Sequence, residues 1–254
     1  MKARFLFQVL PYAASALLVA GMAIRFAVSR RDAPGLDGQR DRARSVFRGG
    51  RVWRLAVLVL LVAHLLALLA PAKVELLSQV PLRLYLLEGS GLLIGVLVLL
   101  GWSGAIGRHL GQREGSRVAA IADAAFLAVT QVAILSGLLT ALFYRWGSRW
   151  SAATLTPYLA SLVGGQPSAG YVTQMPFLVQ LHVVAALGAL ALFPFSGAAV
   201  LGIAAVDRTL RGVGTLRWVR AIAWVARPFA VGGRGVEAWF RRHNPAAWIW
   251  PEED

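Results

Sequence analysis

The chain contains no cysteine among its 254 residues. That excludes an internal disulfide, a thiolate metal site and an iron–sulfur cluster held by this chain itself. Charge is also scarce, at 15% of residues against about 25% in ordinary soluble domains. Acidic side chains are the rarest, 12 against 26 Lys and Arg, which leaves a net charge of +14. No P-loop, nucleophile triad or metalloprotease signature occurs, nor any internal repeat or low-complexity linker.

What is abundant is apolar residues, at 57% of the chain. They gather into runs long enough to cross a hydrocarbon core of about 30 Å, for which a helix needs about 20 mostly apolar residues. Five stretches qualify, at 5–28, 53–71, 84–106, 119–144 and 176–206. The fold class expected is therefore all-α, a membrane bundle of five transmembrane helices. The opening MKARFLFQVLPYAASALLVAGMA has the basic start and apolar body of a signal peptide. It lacks a clear small-x-small cleavage site before the arginine-rich segment and reads as the first span.

In a soluble protein +14 would suggest a nucleic-acid partner, but these arginines lie between spans and read as topology signals. The segment SRRDAPGLDGQRDRARSVFRGGRVWR holds eight, GRHLGQREGSRV three and the tail 207–254 eight more. The positive-inside rule puts all three in the cytoplasm, with the N-terminus outside and the C-terminus inside. The division expected is a membrane domain over 1–206 and a basic tail over 207–254. In that tail Leu216, Val219, Ile222 and Ala223 mark one face of an amphipathic helix, suited to the inner leaflet or to a cytoplasmic partner. The outer segment RWGSRWSAATLTPYLASLVGGQPSAGYVTQ, rich in aromatics, reads as a short interfacial cap.

Two of the four histidines fall inside spans. His64 lies seven residues before Pro71, about 10 Å below the outer end, and His182 six residues after Pro176, about 9 Å below it. They share a depth among Leu, Val and Ala, which offer an imidazole no side-chain partner but suit a flat apolar macrocycle. Facing imidazoles are a standard way to ligate haem iron. Alternatively each hydrogen-bonds a neighbouring helix, lines a polar cavity or relays protons. His109 and His243, in basic segments, read as solvated surface residues. Glu88, early in the third span, could accept protons or hydrogen-bond a quinol near the outer face, or pair with Arg83.

At these residues the chain resembles the gamma subunit of membrane-bound respiratory nitrate reductases, a five-span cytochrome b. Pro11 and Tyr12, Gly21, then Arg25 and Phe26 in the first span are similar to the family's Pro-Tyr, Gly and Arg-Tyr at the same spacing. His64 followed by Pro71 matches a haem-ligand segment. Leu181 and His182 followed by LFPFS, Leu192 to Ser196, form the most specific match.

The departures concern the cofactors. The family normally has four ligands and two stacked haems, but the positions of the inner pair here hold Arg54 and Val200. The resemblance therefore implies one haem b, ligated by His64 and His182, beside a quinol site for which Lys73, Arg83 and Glu88 are candidates. Met22 offers a sulfur in the inner half of the first span with no second ligand facing it. The resemblance also implies an iron–sulfur partner subunit, a molybdenum-containing catalytic subunit and a bacterial or archaeal cytoplasmic membrane. A single outer haem leaves most of the core without a cofactor. Three routes stay open: a partner on the outer face, a second haem-bearing membrane subunit, or a cytoplasmic partner reaching deep between the helices. A non-redox membrane anchor is the competing class.

Overall fold

The computed structural model describes residues 2–31, 37–112, 117–144 and 150–204, and these are helical with no strand among them. The compact unit Met1–Leu201 contains five helices long and apolar enough to cross a membrane: Leu6–Phe26, Arg51–Leu69, Pro81–Leu110, Ala119–Phe143 and Phe177–Phe195. The expected all-α five-span fold is thus present. The tail 207–254, with His243, lies outside the described residues.

In chain order the elements are α1 (Lys2–Arg31), α2 (Asp37–Val46), α3 (Arg51–Leu69), α4 (Pro71–Ser78), α5 (Pro81–Leu110) and α6 (Arg117–Phe143). A single π turn (Ser151–Leu155) then leads into α7 (Thr156–Val163), followed by α8 (Gly170–Thr173) and α9 (Phe177–Leu192), which ends in a 3-10 turn (Phe193–Phe195). α3 packs on α5, α5 on α6, α6 on α9 and α9 on α1. Glycines set the close approaches. A Cβ on Gly95 of α5 would lie 2.7 Å from Leu138 Cδ2 on α6, and one on Gly188 of α9 would lie 3.1 Å from Val129 Cγ1 on α6. Membrane helices use small residues in this way because lipid tails supply no hydrophobic drive to associate. Leucines on the far sides, such as Leu58, Leu61 and Leu65 of α3, are exposed, as lipid-facing positions should be.

Prolines punctuate the ends. Pro71 and Pro81 open α4 and α5, where a missing N–H costs nothing. The second span consequently ends at Leu69, two residues short of the expected boundary, and α4 turns away as a separate short helix. The fifth span is not continuous to 206. Pro194 interrupts the ladder, the backbone is extended at Ser196, and helix resumes at 197.

The basic segment read only as a topology signal contains α2, which is tied to the last turn of α5. Arg108 Nε donates to Val46 O (2.8 Å) and Gln112 Nε2 to Arg42 O (3.5 Å). This packing corrects the reading of His109 as a solvated surface residue: it is buried where α2 covers this end of α5.

The opposite, cap end carries α4, α7 and α8. α7 closes in a Schellman motif, with Gln166 N–H on Ser161 O, Gly165 N–H on Leu162 O, and Gly165 at φ 72°. The cap is latched to α1 by two reciprocal tyrosines. Pro11 has no N–H to give Phe7 O, and the buried Tyr158 hydroxyl supplies the missing donor (2.5 Å). Tyr12 hydroxyl donates to Leu162 O (2.7 Å) and Gln8 Nε2 to Pro167 O (3.3 Å). Burial, with Tyr12 nearby adding to it, pushes the Tyr158 phenol up to about 12. Its raised value makes the latch fully effective below the ordinary tyrosine range and weakens it as pH climbs from 10 toward 12. Tyr158→Phe should cost about 1–3 kcal/mol, because a buried carbonyl loses its one donor. Tyr12→Phe should cost less, since Leu162 O also accepts from Gly165. Thermal unfolding of the two variants in detergent measures the difference, and equal midpoints would contradict the latch.

Candidate functional site

His64 sits five residues from the cap end of α3, and His182 five residues from the cap end of α9. In the packing order these helices are two helices apart, yet their imidazoles meet, with ring centroids 6.2 Å apart and planes inclined at 36°. Each ring is oriented by a main-chain carbonyl. His182 Nδ1 donates to Ala133 O on α6 (2.8 Å), and His64 Nδ1 to Leu60 O one turn back on α3 (2.8 Å). A carbonyl oxygen only accepts, so the proton belongs on Nδ1 of both rings and the lone pair on both Nε2 atoms. This is the tautomer a metal requires, fixed as second partners commonly fix metal-bound histidines.

The separation is also informative. With a metal–imidazole bond of about 2.0 Å on each side, two imidazoles holding one ion would have centroids about 6 Å apart. The 6.2 Å centroid separation is of the size that two imidazoles sharing one ion would have. Among the described residues no three His, Asp or Glu side chains gather to hold a bare ion. Two neutral nitrogens among leucines suit an iron that brings its own four equatorial nitrogens.

Space for the His182 ring is made by Gly137 on α6. A Cβ there would stand 2.9 Å from Cε1 and 3.0 Å from Nδ1 of the imidazole. Ser136 Oγ turns inward to Val132 O (2.7 Å) and Ala133 O (3.1 Å), so the carbonyl that holds His182 lies in a fixed polar turn.

The quinol candidates lie at the same end on different elements. Lys73 is exposed on α4, Arg83 is exposed on the first turn of α5, and Glu88 is half-buried about one and a half turns further in. The positions where a second ligand pair would stand hold Arg54, exposed on α3, and Val200, buried.

The segments of the first and fifth spans that prompted the resemblance touch one another. A Cβ on Gly21 would lie 2.6 Å from Pro194 Cβ, and Arg25 Nη1 donates to Ser196 O. Asp123 Oδ1 accepts from Gly197 N–H (2.5 Å) and caps the resumed helix. A family model described as nitrate reductase gamma subunit matches residues 3–219. The chain belongs to the nitrate reductase gamma subunit family. A search of curated proteins finds no significant match. Membership and the five spans make this a multi-pass membrane protein of a family that works in nitrate reductase complexes with other subunits.

Within that family frame, Gly137, Ala133 and the Tyr158–Phe7 contact are features that reading the sequence missed. Gly137 stands in SGLLT with no local mark of its role. Its partner is 45 residues away, and only the packing of α6 on α9 brings them together.

Proposed function

We propose that this gamma subunit holds one b-type haem between His64 and His182 and passes electrons between membrane quinol and an iron–sulfur partner subunit. The observation that carries the reading is the 6.2 Å imidazole pair with both Nδ1 atoms committed to carbonyls. When bound there, the haem supplies a reversible one-electron iron couple. His64 and His182 would hold the iron through their Nε2 atoms. The Leu60 and Ala133 carbonyls, by accepting from Nδ1, would raise the basicity of the ligating nitrogens.

Lys73 and Arg83 would hydrogen-bond a quinol oxygen, and the Glu88 carboxylate would take a proton from it. A molybdenum-containing subunit carries out the substrate chemistry, and the setting is a bacterial or archaeal cytoplasmic membrane. Low-temperature EPR of the ferric protein should show a low-spin signal of bis-imidazole type. A high-spin signal unaffected by either histidine substitution would remove the ligand assignment.

The cap end faces outside and the α2 end the cytoplasm, on the strength of the eight arginines around α2. Because the chain has no cysteine, single substitutions report this directly. Gln79→Cys in right-side-out membranes should react with an impermeant maleimide, and Arg44→Cys should react only after the membranes are opened. The reverse pattern would invert the topology.

A further inference from the structure

The inner half of the bundle is crossed by a layer of packed aromatic rings. Trp53 lies eleven residues before His64 on α3, and Phe193 lies eleven residues after His182 at the end of α9. Eleven residues are just over three helical turns, so each ring lies on the stripe of its histidine, about 16 Å deeper. Trp102 of α5 and Phe126 of α6 complete the layer. Ring centroids run 6.4 Å from Trp53 to Trp102, 5.8 Å from Trp102 to Phe126 and 6.0 Å from Phe126 to Phe193. The rings therefore cross the bundle from one histidine-bearing helix to the other.

The layer is tightly built. Trp102 and Phe126 are buried with Ala105, Leu127 and Val46, and Trp102 Nε1 donates to Leu127 O (3.0 Å). Trp53 is clasped between two glycines, since a Cβ on Gly101 would fall 1.9 Å from its Cδ1 and one on Gly49 1.6 Å from its Cε3. A macrocycle could enter only by expelling these side chains. Indole and phenyl rings are oxidised only far above the potential of a quinol, so the stack does not carry electrons in place of a cofactor.

We propose that this layer closes the inner half of the bundle to a second cofactor, so that the histidine site exchanges electrons with its protein partner at the cap end alone. The partner is a one-electron redox protein that brings its centre to the face formed by α4, α7 and α8. The inference rests on the haem reading above. The exchange forms and breaks no bond: the iron passes from ferrous to ferric and the acceptor gains that one electron.

The test uses the full chain in sealed proteoliposomes, oriented by maleimide labelling of Gln79→Cys and Arg44→Cys. The haem is reduced with dithionite, excess reductant is removed, and ferricyanide is added outside as an impermeant acceptor. With the cap end outward, reoxidation followed optically should be more than about a hundredfold faster than with the α2 end outward, because most of the ~30 Å core then intervenes. Potentiometric titration of the same sample should give a single one-electron wave. Comparable rates from both faces, faster reoxidation from the α2 end, or a second wave would each overturn the proposal. A sample with no haem would instead refute the histidine assignment beneath it.

Discussion

His182→Ala should leave the purified chain with less than about one tenth of its haem, and His64→Ala should do the same, because an iron held by two axial nitrogens loses half its protein ligation in either variant. The two should differ in what remains. His182 is anchored to the neighbouring helix through Ala133 O, whereas the carbonyl partner of His64 lies on its own helix. Removing His182 therefore deletes a contact between α6 and α9 as well as a ligand and should also lower the thermal midpoint of the protein prepared without haem. His64→Ala should leave that midpoint almost unchanged. Pyridine haemochrome content and thermal unfolding, measured on the same preparations, separate ligation from packing. Full haem content in either variant would show that iron is held elsewhere.

The second large effect is expected from a residue that touches no iron. Gly137→Ala adds one methyl 2.9 Å from Cε1 of His182, where a contact of that length forces something to move. The imidazole cannot swing freely, since its Nδ1 is bonded to Ala133 O and, in the proposed haem complex, its Nε2 would be committed to the iron. Overpacking of this kind costs about 1–3 kcal/mol, which corresponds to haem binding about five- to 150-fold weaker. Gly89→Ala is the matched control, because a Cβ there meets nothing within 4 Å. Haem retention through a detergent wash series should fall for Gly137→Ala and stay level for Gly89→Ala. Equal retention in the two would show that Gly137 does not cradle the ligand.

How much of this was legible in the sequence follows from which interactions are local. Hydropathy located all five spans, because crossing a bilayer imposes length and polarity on each helix independently of its neighbours. Counting residues from Pro71 and Pro176 was enough to set His64 and His182 at one depth, since helical rise is constant. What the count could not reveal is that the rings face each other, because orientation depends on how α3 and α9 rotate within the bundle. The burial of His109 was misread for the same reason: α2 covers it only after the chain folds back on α5. Pro194 was visible in the sequence, but the break it makes near Ser196 was passed over in favour of one long apolar run.

Other features were legible in principle. Trp53 and Phe193 repeat the histidine stripe at three turns, a spacing that could have been noticed beside the substitutions at Arg54 and Val200. Pro11 inside a helix leaves Phe7 O without its donor, which predicts a compensating hydroxyl somewhere, although not that Tyr158 supplies it.

The central claim, one haem between His64 and His182, is tested most directly by quantifying haem on the purified wild-type chain with reduced-minus-oxidised spectra. The account predicts one b-type haem per chain. No haem at all, or two per chain, would contradict it.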